Sequence, residues 1–373
     1  MTKKEKLIKA YKGKNVYITG ITGFKGSWMA LVLKELGANV FGMGLKPESR
    51  NSIFYQAGVN EIARVEFGDI TEPAFKSTLL RGMLEADPDF VFHMAAQPIV
   101  SEGYKNPFET FNTNIMGTVI MHEILRGLVS TPKEDDDKSN LFETEEGFIS
   151  KRVSFINITT DKVYKEIKRP LKEDDEMFGF DPYSLSKTCS DMISNCYKNA
   201  LKSQHLISTM RAGNVIGGGD MSENRIIPDI YRAIQNEEKL EIRNPDSVRP
   251  YQHVFDAILG YLWIAMLQSE THELQGSYNI GPDLEQTMTT IELVEKMKSN
   301  LNFDYEVTGK SIGKESDYLA LDNSKLKATG WVPVFDTNEK VVKSTSVWYN
   351  NFIQGENMKE FTLKQIKEAL DNV

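Results

Sequence analysis

A chain of 373 residues has room for two to three structural units and at least one large core. With 40% hydrophobic and 26% charged residues it is not disordered, collagen-like or a coiled-coil rod. Its 44 basic and 53 acidic residues leave a net charge of −9, which disfavours wrapping a long nucleic acid but admits a small phosphorylated ligand.

In chain order, the opening MTKKEKLIKAYKGK is basic and runs into a strand pattern without the apolar core of a signal peptide, so a cytoplasmic protein is expected. Strand-length apolar runs at 16–19, 40–43 and 64–67 alternate with a helical pattern at 27–36. Further strands fit 90–94, 153–158 and 206–210, separated by helices near 108–128 and 183–201. This alternation predicts an α/β protein with a doubly wound, Rossmann-like parallel sheet of about seven strands. Residues 131–148 interrupt it: TPKEDDDKSNLFETEEGF holds seven acids against two bases, with little periodicity, and reads as an acidic surface insertion. The most apolar stretch, 257–267, has eleven residues, whereas a membrane span needs about twenty, so no membrane association is expected. In the last third, short strands at 240–242 and 278–280 mix with helices at 289–298 and 337–349, which predicts a smaller mixed α/β domain for the substrate. Residues 1–210 are assigned to the dinucleotide-binding domain, with 250–275 returning to it, and 211–249 and 276–373 to the smaller domain. Cys189 and Cys196, seven apart in one predicted helix, cannot form an ordinary disulfide, and the five scattered histidines lack zinc-site spacing, so no metal is expected.

Directly after the first strand, Gly20, Gly23 and Gly26 make a GxxGxxG turn that opens a helix. Such a turn brings backbone N–H groups to a dinucleotide diphosphate, so Gly20, Thr22, Gly23, Phe24, Lys25 and Gly26 are candidate cofactor-binding residues. The acid that often holds the adenosine ribose is missing from Gly42-Met43-Gly44-Leu45-Lys46, so NAD and NADP both stay open. Asp69-Ile70 and Ala95-Ala96-Gln97 follow the third and fourth strands, at carboxyl ends where open α/β sheets bind ligands.

Tyr183 and Lys187 form a YxxxK pair that a helix places on one face, one turn apart. A phenol with pKa about 10 is a poor base at neutral pH, but an ammonium about 4 Å away at an effective dielectric near 20 favours phenolate by roughly 4 kcal/mol before desolvation. Upstream, Thr159-Thr160-Asp161-Lys162 ends a strand. With Tyr183 in the role of base, His253 reads as structural.

The segments GITGFKGSW, HMAAQPIV, FNTNIMGT, TTDKVY, DPYSLSK, RAGNVIGGGD and RNPDSVRPYQHV together resemble the extended short-chain dehydrogenase/reductases. Within them the match is to the nucleotide-sugar 4,6-dehydratases, over about residues 15–331. The resemblance implies a tightly held NAD, a nucleotide-sugar substrate such as CDP-glucose and a 4-keto-6-deoxy sugar product. Tyr183 would take the proton of the sugar 4-hydroxyl with support from Lys187 and Thr160, and Asp161 would protonate the departing C6 hydroxyl. Asn114 and Thr159 would join the cofactor contacts, and Asn214, Arg225, Arg243 and Arg249 the contacts to the substrate diphosphate. Lys162 stands where many of these dehydratases carry a glutamate that removes the C5 proton. As in the CDP-glucose branch, it would be that base or would orient the enolate. The alternatives are a 4-epimerase with the same Tyr/Lys pair, which needs neither Asp161 nor Lys162, and a dehydratase of another nucleoside-diphosphate hexose. The family also implies a homodimer, through the helices near 108–128 and 183–201, or a homotetramer.

Overall fold

Seven strands form one sheet in the computed structural model, which describes residues 1–128, 142–144, 147–149, 152–309 and 317–373. They are β1 Asn15–Thr19, β2 Asn39–Gly44, β3 Arg64–Phe67, β4 Phe90–His93, β5 Ser154–Thr160, β6 Leu206–Ala212 and β7 Ser277–Ile280. All pair in parallel, in the order β3-β2-β1-β4-β5-β6-β7. The order reverses between β1 and β4, which is where a doubly wound sheet opens its ligand crevice. Every residue of β5 and β6 is buried, as strands covered on both faces must be.

The principal helices are α1 Lys3–Tyr11, α2 Phe24–Glu35, α3 Pro73–Ala86, α4 Gly117–Gly127, α5 Pro182–Asn199, α6 Ile226–Asn236, α7 Val254–Glu270, α8 Thr290–Lys298, α9 Asn338–Ile353 and α10 Met358–Asp371. Apolar residues of α1, α2, α7 and α10 share one core with β1 and β4, while α3, α4 and α5 cover the opposite face. The most apolar stretch of the sequence lies in α7, where 14 of 17 residues are buried, so its hydrophobicity serves the core. Among the described residues no helix is long and apolar enough to cross a membrane. A second core joins α6, α8 and α9 through Ile227, Ile230, Leu293, Met297, Trp348 and Tyr349.

Three elements differ from expectation. The run at 278–280 belongs to the main sheet as β7, paired with β6, and not to the smaller domain. Its four residues are too few to reveal by pattern which sheet they join, and the buried Asn279 interrupts their apolar character. Within the acidic insertion, Phe142–Thr144 pairs antiparallel with Gly147–Ile149; residues 129–141, 145–146 and 150–151 lie outside the described part. The helix expected at 108–128 is interrupted by a wide π-helical turn, Asn112–Met116, just before α4.

Candidate active site

The crevice floor is backbone packed on backbone. Gly20 has φ +74°, and a Cβ there would stand 2.7 Å from the Ala95 nitrogen; one at Gly26 would stand 2.2 Å from the Gly20 carbonyl oxygen. Only glycine lets the turn after β1 touch both the β4 loop and its own helix. No side chain caps α2 at Gly23, which leaves first-turn N–H groups for an anion. Below the turn, Thr19 Oγ1 accepts from the Met94 and Ala95 N–H groups, both at 3.1 Å, and lies 2.8 Å from His93 Nδ1. His93 also contacts Thr118 Oγ1 at 3.3 Å, and burial holds it neutral, well below its usual pKa.

The cofactor candidates separate into two kinds. Residues 20–26 and 95–97 follow the carboxyl ends of β1 and β4, and Asp69 at the β3 end accepts from Thr71 N–H and Oγ1 at 2.8 and 2.7 Å. Ile70 is buried behind it. Asn114 and Thr159 are placed differently. Asn114 is buried and spans the loop and the helix: Gln97 N–H donates to it at 2.8 Å, and its amide donates to the Gln97 carbonyl at 3.0 Å and Ser186 Oγ at 2.8 Å. The Thr159 hydroxyl donates to Asp191 at 3.0 Å, inside the protein. Asn114 thus braces the loop against the helix, and Thr159 is tied to Asp191 while also lining the pocket described next.

Beyond the crevice, Thr160, Asp161, Lys162 and Tyr183 line a pocket of about 270 Å³ with Lys25, Asn214, Asp220, Arg225, Arg243 and Arg249. The helix α5 that delivers Tyr183 starts cleanly: Pro182 occupies its first turn and the Asp181 carboxylate accepts from Ser184 N–H at 3.0 Å. Burial pushes the Tyr183 phenol up to about 12, against contact with the Thr160 hydroxyl and the positive charge of Arg225. Lys187 turns its ammonium to the Ile158 carbonyl, 3.0 Å away, and burial brings it down to about 8 while Asp191 one turn on opposes this. In this arrangement desolvation outweighs the phenolate stabilisation expected from a neighbouring ammonium.

Asp161 is the most informative group. One carboxyl oxygen accepts from Thr160 Oγ1 at 2.9 Å; the other is buried with no hydrogen-bond partner. Burial raises its pKa, opposed by Lys162, Thr160 and Arg249. Its carboxyl is thus held above the usual carboxylate range in the pocket that it shares with Lys162 and Tyr183. Lys25 is pushed down to about 7, first by burial and then by Lys187 and Arg225.

At the far end, Arg225 donates to Asp220 at 3.0 Å, Arg243 to Asn224 at 3.1 Å and Asp229 at 3.4 Å, and the buried Arg249 to the Val248 carbonyl at 2.9 Å. Asn214 lines the same wall, its carbonyl accepting from Gln252 N–H at 2.9 Å. Asp220 escaped sequence reasoning, although it closes RAGNVIGGGD, because its partner lies five residues on in another motif. His253 is outside the pocket, stacked 3.8 Å from Phe335 and pushed down to about 3 by burial. Among the described residues no three His, Cys, Asp or Glu side chains are grouped to hold a metal ion.

Residues 17–344 match the GDP-mannose 4,6 dehydratase family. The chain belongs to that family. It is 35% identical to the CDP-glucose 4,6-dehydratase of Salmonella typhimurium, over 96% of this chain and 97% of that one. Among solved structures, the epimerase Mth375 of Methanothermobacter thermautotrophicus superposes with a TM-score of 0.76 at 20% identity, covering 95% of this chain and 97% of that one. The dTDP-glucose 4,6-dehydratase of Bacillus anthracis, in complex with NAD, gives 0.70 at 20% identity, covering 94% and 100%. The fold is that of the extended short-chain dehydrogenase/reductases.

Proposed function

We propose that the chain is an NAD-dependent hydro-lyase that converts CDP-glucose to CDP-4-keto-6-deoxyglucose. The observation that carries this reading is the Asp161 carboxyl, buried beside Tyr183 with one oxygen unpartnered and its pKa raised. Epimerisation at C4 has no leaving hydroxyl for such an acid to protonate; dehydration does. The 35% identity over nearly both full chains supports CDP-glucose among nucleotide sugars.

The glycine turn fits a dinucleotide, since Gly20 and Gly26 let it pack tightly on the β4 loop and its own helix while no side chain caps the first-turn N–H groups of α2. Residues 20–26 and 95–97, with Asp69 at the edge, would hold NAD, which would supply a hydride acceptor for C4 and a hydride donor for C6. Tyr183 takes the 4-hydroxyl proton, with Thr160 on its phenol. The resulting 4-ketone acidifies the C5 proton. Lys162 removes that proton or orients the enolate, and Asp161 gives its own to the C6 hydroxyl as water departs. Arg225, Arg243 and Arg249 hold the diphosphate, a role suited to a fork of N–H donors. The exposed Phe108, Met116, Leu185 and Met192 on the helical face of α5 and the segment before α4 support a homodimer through these helices. Sedimentation at micromolar concentration checks that state.

The test is mass spectrometry after incubation with NAD and a panel of CDP-, dTDP-, UDP- and GDP-hexoses. Loss of one water from CDP-glucose, with no added reductant, is expected. Isomerisation without mass change would establish the epimerase instead.

A further inference from the structure

The loop between β6 and α6 is gripped from two sides. A Cβ at Gly218 would stand 2.0 Å from the Trp348 ring, so the loop backbone lies directly against α9. The Gly218 carbonyl accepts from Trp28 Nε1 of α2 at 2.9 Å, and the Asp220 carbonyl accepts from the Tyr349 hydroxyl of α9 at 2.6 Å. Held this way, the Asp220 side chain is only 4% exposed and lines the pocket. One carboxylate oxygen accepts from Ser222 N–H and Oγ at 3.1 and 2.7 Å, and the other from Arg225 Nη1 at 3.0 Å. Arg225 in turn acts electrostatically on Tyr183 in the same pocket.

We propose that Asp220 and Tyr349 are positioning residues for the substrate diphosphate: α9 sets the loop, and the loop carboxylate aims the Arg225 guanidinium at the ligand. This rests on the reading of the pocket as a nucleotide-sugar site. A guanidinium with one edge tied to a carboxylate keeps its remaining donors directed and loses less freedom when an anion binds. The C-terminal helices, which lie beyond the last recognisable motif, thereby become part of the substrate site.

The test uses Tyr349→Phe, which deletes one hydroxyl, and Asp220→Asn, which deletes one charge, in the full chain. CDP is titrated calorimetrically, and KM and kcat for CDP-glucose are measured alongside. Tyr349→Phe is expected to weaken CDP and raise KM about three- to tenfold, with kcat reduced less than twofold, and Asp220→Asn to weaken CDP further. Tyr11→Phe is the control for lost stability, since it deletes an equivalent buried bond, 2.7 Å to the Leu262 carbonyl, away from the loop. It should lower Tm comparably and leave CDP binding unchanged. Unaltered CDP affinity in Tyr349→Phe and Asp220→Asn, or an equal loss in Tyr11→Phe, overturns the proposal. If the wild type binds CDP but leaves CDP-glucose unconverted, the functional reading fails while the CDP series still decides this one. If CDP does not bind, UDP, dTDP and GDP replace it, and binding of none overturns both.

Discussion

At the scale of single residues, the proposed chemistry assigns opposite tasks to two adjacent side chains. Asp161 is buried, with one oxygen unpartnered and its pKa raised by burial, whereas Lys162 is half-buried at the pocket wall. Asp161→Asn should keep oxidation at C4, visible as NADH absorbance on mixing with substrate, while water loss falls on the order of 10²- to 10⁴-fold. Loss of both steps together would assign Asp161 to binding. Lys162→Ala should abolish solvent exchange at C5 of the 4-keto product, followed by NMR in D2O; full exchange would remove Lys162 from that step. That Thr160, Asp161, Lys162 and Tyr183 share one pocket was legible because each lies in a contiguous motif whose spacing survives folding, whereas Lys187 of the same motif turns to the Ile158 carbonyl. Asp220 was not. Its place depends on Arg225 and on Tyr349, 129 residues away, and no local spacing announces such a contact.

At the scale of elements, a buried ion pair locks α5, the helix that carries Tyr183, to the sheet. Arg211 on β6 reaches Asp191 on α5 at 2.9 Å, with side chains 3% and 0% exposed. Its other donors meet the Tyr164 hydroxyl at 2.8 Å and the Glu173 carbonyl at 2.9 Å, and Asp191 also accepts from Thr159. The pair therefore ties down both flanks of the Thr160 to Lys162 turn and the helix one turn beyond Lys187. Arg211→Met alone should cost roughly 3–5 kcal/mol, because it strands a buried carboxylate, and adding Asp191→Leu should recover most of it. Urea unfolding of the two variants measures the difference; equal stabilities would deny the pair its locking role. The parallel strands were readable from apolar runs alternating with helices. The buried Arg211, one residue past the run at 206–210, extends β6 in a way that only its tertiary partner explains, and β7 was misplaced because its membership depends on pairing with β6, which periodicity does not encode.

At the scale of the whole molecule, the net −9 is not the character of the pocket, where Lys25, Lys162, Arg225, Arg243 and Arg249 stand among Asp161, Asp220, Asp229 and Glu241. The acidic insertion supplies much of the overall charge. Global stability carries its own pH signature. Burial pushes His253 from 6.5 down to about 3, so the folded chain binds fewer protons there than the unfolded chain. Its contribution is complete above pH 6.5 and is lost as pH falls toward 3, by up to about 1.4 kcal/mol per pH unit. The stability gap between wild type and His253→Gln should therefore narrow between pH 7 and pH 5; a constant gap would mean that His253 titrates normally in the folded state. The central claim, that hydride leaves C4 and returns at C6 of the same sugar, is tested most directly with CDP-glucose deuterated at C4. Dehydration predicts a product lighter by one water with the deuterium recovered in its C6 methyl group. Deuterium kept at C4 of an isomer, or lost to solvent, would contradict it.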